Sequence, residues 1–184
     1  MPEVLRKEFA ISILALFFTG WAGWLDWRSR RIPNWLTVPA LCAGLAINTL
    51  LFGWAGTKSG LEGAAIGLGF LLPFVLARGL GAGDWKLMGA LGALLGPMKF
   101  VAVLLGTILI SGIMAVVEMV RRGRVKETLA NTLVLIHAFC TFGLRPRKEN
   151  INLDNPGLMA QPFGVAAALA MVIFFCAQSA LRAI

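Results

Sequence analysis

Two aspartates lie at the edges of apolar runs, where charge is unusual. Asp26 closes the first long apolar run, and Asp84 follows Gly81-Ala82-Gly83 just before another. An ionisable residue at a bilayer edge is costly unless it is hydrated, paired or used, so both residues are candidate functional sites. Two carboxylates held close together share a proton, because both cannot easily be ionised. We therefore predict that Asp26 and Asp84 form a catalytic pair that activates a water molecule.

Hydrolysis of a peptide bond by two carboxylates needs one ionised and one protonated group. The ionised carboxylate takes a proton from water, and the protonated one polarises the scissile carbonyl or protonates the leaving amine. The two residues are far apart in sequence, so only the fold can bring them together. Gly81 and Gly83 would let the backbone approach a bound substrate closely, although a plain loop between membrane spans would have the same composition.

The composition predicts an all-α, polytopic membrane protein. Of the 184 residues 58% are hydrophobic and only 14% are charged, and the mean hydropathy is +0.79. The apolar runs are continuous and approach or reach the length of a membrane-spanning helix, whereas barrel strands alternate apolar and polar residues. The net charge of +8 falls in loops between these runs. It therefore indicates membrane lipids and topology rather than nucleic acid.

The apolar pattern predicts about six transmembrane helices in a single domain, residues 1–184. The fourth is short: about 12 residues reach only ~18 Å, against a hydrocarbon core of ~30 Å. The predicted spans are about 9–25, 35–52, 61–77, 85–96, 100–120 and 162–181.

Loop charge predicts the orientation. With the N-terminus outside, most of the 17 Lys and Arg residues lie on the cytoplasmic side, together with Asp26 and Asp84. The segment 128–142 is either a seventh span or a helix on the cytoplasmic surface. We favour the surface helix, because a seventh span would weaken the charge bias and place Asn131 and His137 in hydrocarbon. A polar loop would follow up to residue 161.

The remaining polar residues predict neither a metal site nor a cofactor. His137 is the only histidine, and the acids are scattered. The three cysteines lie far apart in apolar surroundings and form no CxxC pair. No serine–histidine or cysteine–histidine arrangement suggests a nucleophile.

Three motifs resemble those of one known family, the type IV prepilin peptidases. Asp26, followed by Arg31-Ile32-Pro33-Asn34 and Thr37, resembles its first aspartate motif. Gly81-x-Gly83-Asp84-x-Lys86-Leu87 resembles its second, and Gln161-Pro162-Phe163-Gly164 resembles the Pro-Phe-Gly that opens its last helix.

The resemblance implies a membrane-embedded aspartic endopeptidase of the prokaryotic inner membrane. Such enzymes cut the short basic leader from type IV prepilins or pseudopilins at the cytoplasmic face. Asp26 and Asp84 would be the catalytic pair, and Gly81, Gly83 and Lys86 supporting residues. Larger members carry a cysteine-rich insertion linked to N-methylation. Here the loop between the first two spans is short and lacks cysteine, so we expect the short form without methyltransferase activity.

A different class of protein remains open. The chain would also suit a small transporter or a non-enzymatic pilus or secretion assembly factor, in which the aspartates relay protons or bind cations. Cleavage of a prepilin separates the two hypotheses. The sequence leaves the particular pilin and the oligomeric state open.

Overall fold

The computed structural model describes residues 3–30, 32–76, 80–121, 123 and 162–183, and their regular structure is entirely helical. The helices are α1 (Glu3–Ser29), α2 (Asn34–Leu76), α3 (Ala82–Arg121) and α4 (Phe163–Ala183). The predicted all-α fold is therefore confirmed. The predicted surface helix and polar loop, residues 128–161, lie outside the described residues.

All four helices are long and apolar enough to cross a membrane. The predicted number of about six spans is not confirmed by these four. α2 and α3 each contain one residue with a non-helical backbone, Gly53 (φ 61°, ψ −144°) and Gly96 (φ 71°, ψ 173°). Glycine tolerates this left-handed region because it has no Cβ. The two breaks coincide with the ends predicted for the second and fourth spans.

α2 folds back on itself at Gly53. The hydroxyl oxygens of Thr49 and Thr57 lie 2.8 Å apart, and Gly56 lies directly against the backbone carbonyl of Asn48. The segments 34–52 and 54–76 therefore lie side by side. The third span was predicted to begin near residue 61, but the helix resumes at residue 54. The fold uses glycines in this stretch for close helix contacts.

The main contact of α2 is with the first half of α3, and glycines line it. Gly63 and Gly92 meet backbone to backbone, and a methyl group on either would overlap the carbonyl of the other. One turn away, a methyl group on Gly67 would lie 2.7 Å from the Met88 carbonyl oxygen. Small residues at such crossings let helices pack tightly inside a bilayer, where burial of apolar surface supplies no driving force.

Asn48 compensates for the break in α3. Pro97 has no N–H, so the carbonyl of Ala93 lacks its usual partner four residues on. The buried side-chain amide of Asn48 donates to the carbonyl oxygens of Ala93 and Leu94, each at 2.9 Å, and to that of Gly44 at 3.1 Å. Each unsatisfied backbone group would cost several kcal/mol in lipid. The amide thus makes the break tolerable at this depth.

α1 and α4 pack side by side in opposite directions. At one end the rings of Phe9 and Phe175 stack with centroids 5.1 Å apart. At the other end a methyl group on Gly23 would lie 3.0 Å from both the Ala168 Cβ and the Gly164 carbonyl oxygen. The start of α4 is therefore beside the end of α1, where Asp26 lies.

Candidate active site

Asp26 lies in the last turn of α1, and only 5% of its surface is exposed. Its Oδ2 accepts a hydrogen bond of 2.8 Å from the backbone N–H of Gly164 at the start of α4. The first N–H groups of a helix have no partner within it. Those of Val165 and Ala166 bind the Pro162 carbonyl, which leaves the Gly164 N–H for the carboxylate.

Asp84 lies in the first turn of α3 and is partly exposed. Its carboxylate packs against Gly81, the residue before the helix, and the Trp85 N–H donates to the Gly81 carbonyl at 3.2 Å, as in the first turn of a regular helix. Trp85 also donates from its indole Nε1 to the Leu68 carbonyl at 2.7 Å, which fixes this turn against α2.

Ile32 connects the surroundings of the two aspartates. Arg30 adopts a left-handed backbone conformation (φ 53°) after α1, and Ile32 precedes Pro33 in the short connection to α2. A methyl group on Gly164 would lie 3.2 Å from the Ile32 Cδ1, and one on Gly83 would lie 3.0 Å from its carbonyl oxygen. Asp26 and Asp84 therefore share one end of the bundle, within range of each other's charge.

The other predicted site residues lie in the same region. Gly83 packs on Ile32, and Gly81 lies under the Asp84 carboxylate, with only 2.9 Å from Oδ2 to a methyl group placed there. Both glycines thus admit close contacts within the protein itself. Lys86 donates from Nζ to the Asn34 Oδ1 at 2.9 Å, and so links the start of α2 to that of α3.

Two residues had no predicted role but contact the predicted site. Gly164 binds Asp26, and Asn34 binds Lys86. The available signal for Gly164 was its place in the Pro162-Phe163-Gly164 motif at the start of an apolar run, where the first N–H groups of a helix lack partners. Thr37, also near the start of α2, is 1% exposed, and its hydroxyl is one of two buried side-chain polar atoms in the described residues without a hydrogen-bond partner.

A cavity of about 350 Å³ lies at the opposite end of the bundle. Glu8 and Lys99, which form an ion pair at 3.2 Å, line it together with Asn48 and Ser59. It contains neither aspartate and is separate from the candidate site.

Comparison with known proteins identifies the family. Residues 13–116 match the model of the type IV leader peptidase family. The chain belongs to this family. The match spans both Asp26 and Asp84 and ends before α4, so the contact from Gly164 lies outside it. The family assignment confirms the resemblance inferred from the motifs.

One curated relative of the leader peptidase family is similar to the chain, the "Prepilin leader peptidase/N-methyltransferase" of Xanthomonas campestris pv. campestris. It is 28% identical over 129 residues, which cover 66% of this chain and 44% of the relative. The chain thus spans less than half the length of the relative it matches. No solved structure matches the chain significantly.

Proposed function

We propose that this protein is a membrane-embedded aspartic endopeptidase that removes the basic leader peptide from type IV prepilins or pseudopilins. The observation that carries the proposal is that Asp26 and Asp84 lie at the same end of the bundle, where Ile32 packs against Gly164, the partner of Asp26, and against Gly83, the residue before Asp84. Both aspartates fall inside the stretch that matches the leader peptidase family. The name of the relative supplies the substrate class.

The contacts of the two carboxylates suit this chemistry. Asp26 has Oδ2 bound by the Gly164 N–H, and the Asp84 carboxylate packs against Gly81. Each carboxylate retains acceptor capacity for a water molecule. One aspartate takes a proton from that water as the water oxygen attacks the scissile carbonyl carbon. The other, protonated, donates its proton to the carbonyl oxygen, and the first aspartate passes the proton from water to the leaving amine as the C–N bond breaks.

The supporting residues hold this geometry. Gly81 and Gly83 permit the close contacts around Asp84, and Lys86 connects α3 to Asn34 of α2. The reaction as proposed uses side chains of the protein and no cofactor or metal ion. The proposal treats the chain as one domain.

The proposed location is the inner membrane of a prokaryote, with the N-terminus outside and the catalytic end facing the cytoplasm. The distribution of Lys and Arg supports this orientation. The partners are then the prepilin substrate and the surrounding lipids, and nucleic acid is not among them.

Co-expression with a prepilin tests the function. We expect wild type to convert the prepilin to a faster-migrating form, and Asp26→Asn and Asp84→Asn each to lower the rate at least about 100-fold, the range of acid–base catalysis. Asp154→Asn, which changes the remaining aspartate of the chain, is the matched control and should cleave normally. Equal membrane abundance of the variants is checked by immunoblot.

Trimming by both Asp26→Asn and Asp84→Asn would refute the mechanism. A wild type that trims no prepilin would favour the transporter or assembly-factor alternative.

A further inference from the structure

We propose that Gly164 is a positioning residue, which holds the Asp26 carboxylate in its reactive orientation through the backbone N–H. This inference rests on the proposed function. It makes α4, which lies outside the family match, a structural part of the active site.

The donor and the acceptor suit each other. The Gly164 N–H has no partner within α4, and the buried Asp26 Oδ2 lies 2.8 Å from its nitrogen. The N-terminus of a helix carries a partial positive charge that favours a carboxylate. The contact therefore fixes one carboxylate oxygen and with it the direction of the other.

Glycine suits this close approach because it has no Cβ. A methyl group at position 164 would lie 3.0 Å from the Asp26 Cβ, 3.1 Å from its Oδ2 and 3.2 Å from the Ile32 Cδ1. Any side chain would have to push Asp26 or Ile32 aside. Ile32 also contacts Gly83, the residue before Asp84, so a displacement here would reach both halves of the site.

The packing of α1 on α4 sets the position of this N–H. The contact at Gly23 and the stacked rings of Phe9 and Phe175 join the two helices at both ends. Because the donor belongs to a helix that is docked along its length, its position does not depend on a flexible side chain. Such preorganisation is what catalytic groups need, since a misplacement of about 1 Å can cost about 100-fold in rate.

Steady-state kinetics on the purified full-length chain in lipid vesicles, with a prepilin as substrate, test the inference. We expect Gly164→Ala to lower kcat at least about tenfold with KM nearly unchanged, because it displaces a reacting group rather than the substrate. Gly106→Ala is the matched control. Its methyl group would lie 3.3 Å from the Ala170 Cβ, so it crowds α4 against α3 away from Asp26. Its kcat should stay within about twofold of wild type. Equal loss of kcat in both variants would show a general packing effect and overturn the inference.

A second measurement does not depend on cleavage. With ¹³C-carbonyl phenylalanine and ¹⁵N glycine, only the three glycines that follow phenylalanine give signals, and Gly164→Ala identifies the one from Gly164. We expect Asp26→Ala to move the Gly164 amide proton resonance upfield, because its hydrogen-bond acceptor is lost, and Asp84→Ala to leave it in place. An unmoved resonance in Asp26→Ala refutes the contact. If wild type cleaves no prepilin, the proposed function fails, whereas this shift still decides whether Gly164 holds Asp26.

Discussion

At the scale of residues, the two aspartates obtain their contacts in different ways. Asp84 packs against Gly81, three residues earlier, and this contact forms with the first turn of α3 itself. The partner of Asp26 is Gly164, 138 residues later in the chain. One half of the site is therefore built locally, and the other exists only when α4 is docked on α1.

The contact between Lys86 and Asn34 leads to a prediction about support of the site. We expect Lys86→Ala to lower the rate of prepilin cleavage about tenfold or less, well below the effect of Asp84→Asn, because one exposed hydrogen bond contributes about 1 kcal/mol. Asn34→Ala should have a similar effect, and the double variant should be no worse than either single one. Lys99→Ala, at the opposite end, is the control with normal cleavage. Normal cleavage by Asn34→Ala alongside a strong defect in Lys86→Ala would mean that Lys86 acts without Asn34.

At the scale of elements, the crossing of α2 and α3 depends on glycines whose backbones touch. Gly63 and Gly92 leave no room for a side chain, whereas Gly69, also in α2, has nothing within 4 Å of a methyl group placed on it. Gly63 and Gly69 therefore offer a comparison within one helix. The same substitution meets backbone at one position and open space at the other.

We expect Gly63→Ala to lower the free energy of unfolding by about 3 kcal/mol, because the new methyl group must separate two backbones. Gly69→Ala should leave it unchanged or raise it by up to about 1 kcal/mol, the gain in helix propensity. Unfolding of the reconstituted protein by heat or by SDS measures both. Equal stability of the two variants would contradict the tight crossing.

Much of the helical layout was predictable from hydropathy, because long apolar runs have few alternatives in a membrane. The short segment that ends at Gly96 was predicted from the length of its apolar run alone. α1 begins at Glu3 rather than near residue 9, since Lys7 and Glu3 pair at 2.8 Å along the helix. The roles of Asn48 and Gly164 were not predictable. Each depends on a hydrogen bond to a residue 45 or more positions away, which local patterns do not specify.

At the scale of the whole molecule, the two ends of the bundle differ. One end holds Asp26, Asp84 and the start of α4, and the other holds the Glu8–Lys99 pair beside the cavity. The proposed function requires that the first end face the compartment in which the substrate leader is found. The orientation is therefore a testable part of the proposal.

Labelling of single cysteines tests this orientation. Val4 and Trp27 are both exposed, at 56% and 71%, and lie at opposite ends of α1. In a chain without its native cysteines, we expect a membrane-impermeant maleimide to label Val4→Cys in intact spheroplasts and Trp27→Cys only after lysis, because the charge bias places the N-terminus outside. Lysed cells, in which both are labelled, provide the control. The reverse pattern would place the aspartates on the wrong side for a cytoplasmic leader.

The amide of Asn48 has a consequence for biogenesis. When the first part of α2 leaves the ribosome, the acceptors of this amide at positions 93 and 94 have not yet been synthesised. Transfer of this segment alone into lipid would leave the amide only the Gly44 carbonyl as acceptor, and an N–H without a partner would cost about 1–3 kcal/mol. Once α3 is inserted, the carbonyls of Ala93 and Leu94 at its break accept hydrogen bonds from the Asn48 amide. We therefore expect the translocon to release α2 and α3 together rather than one after the other.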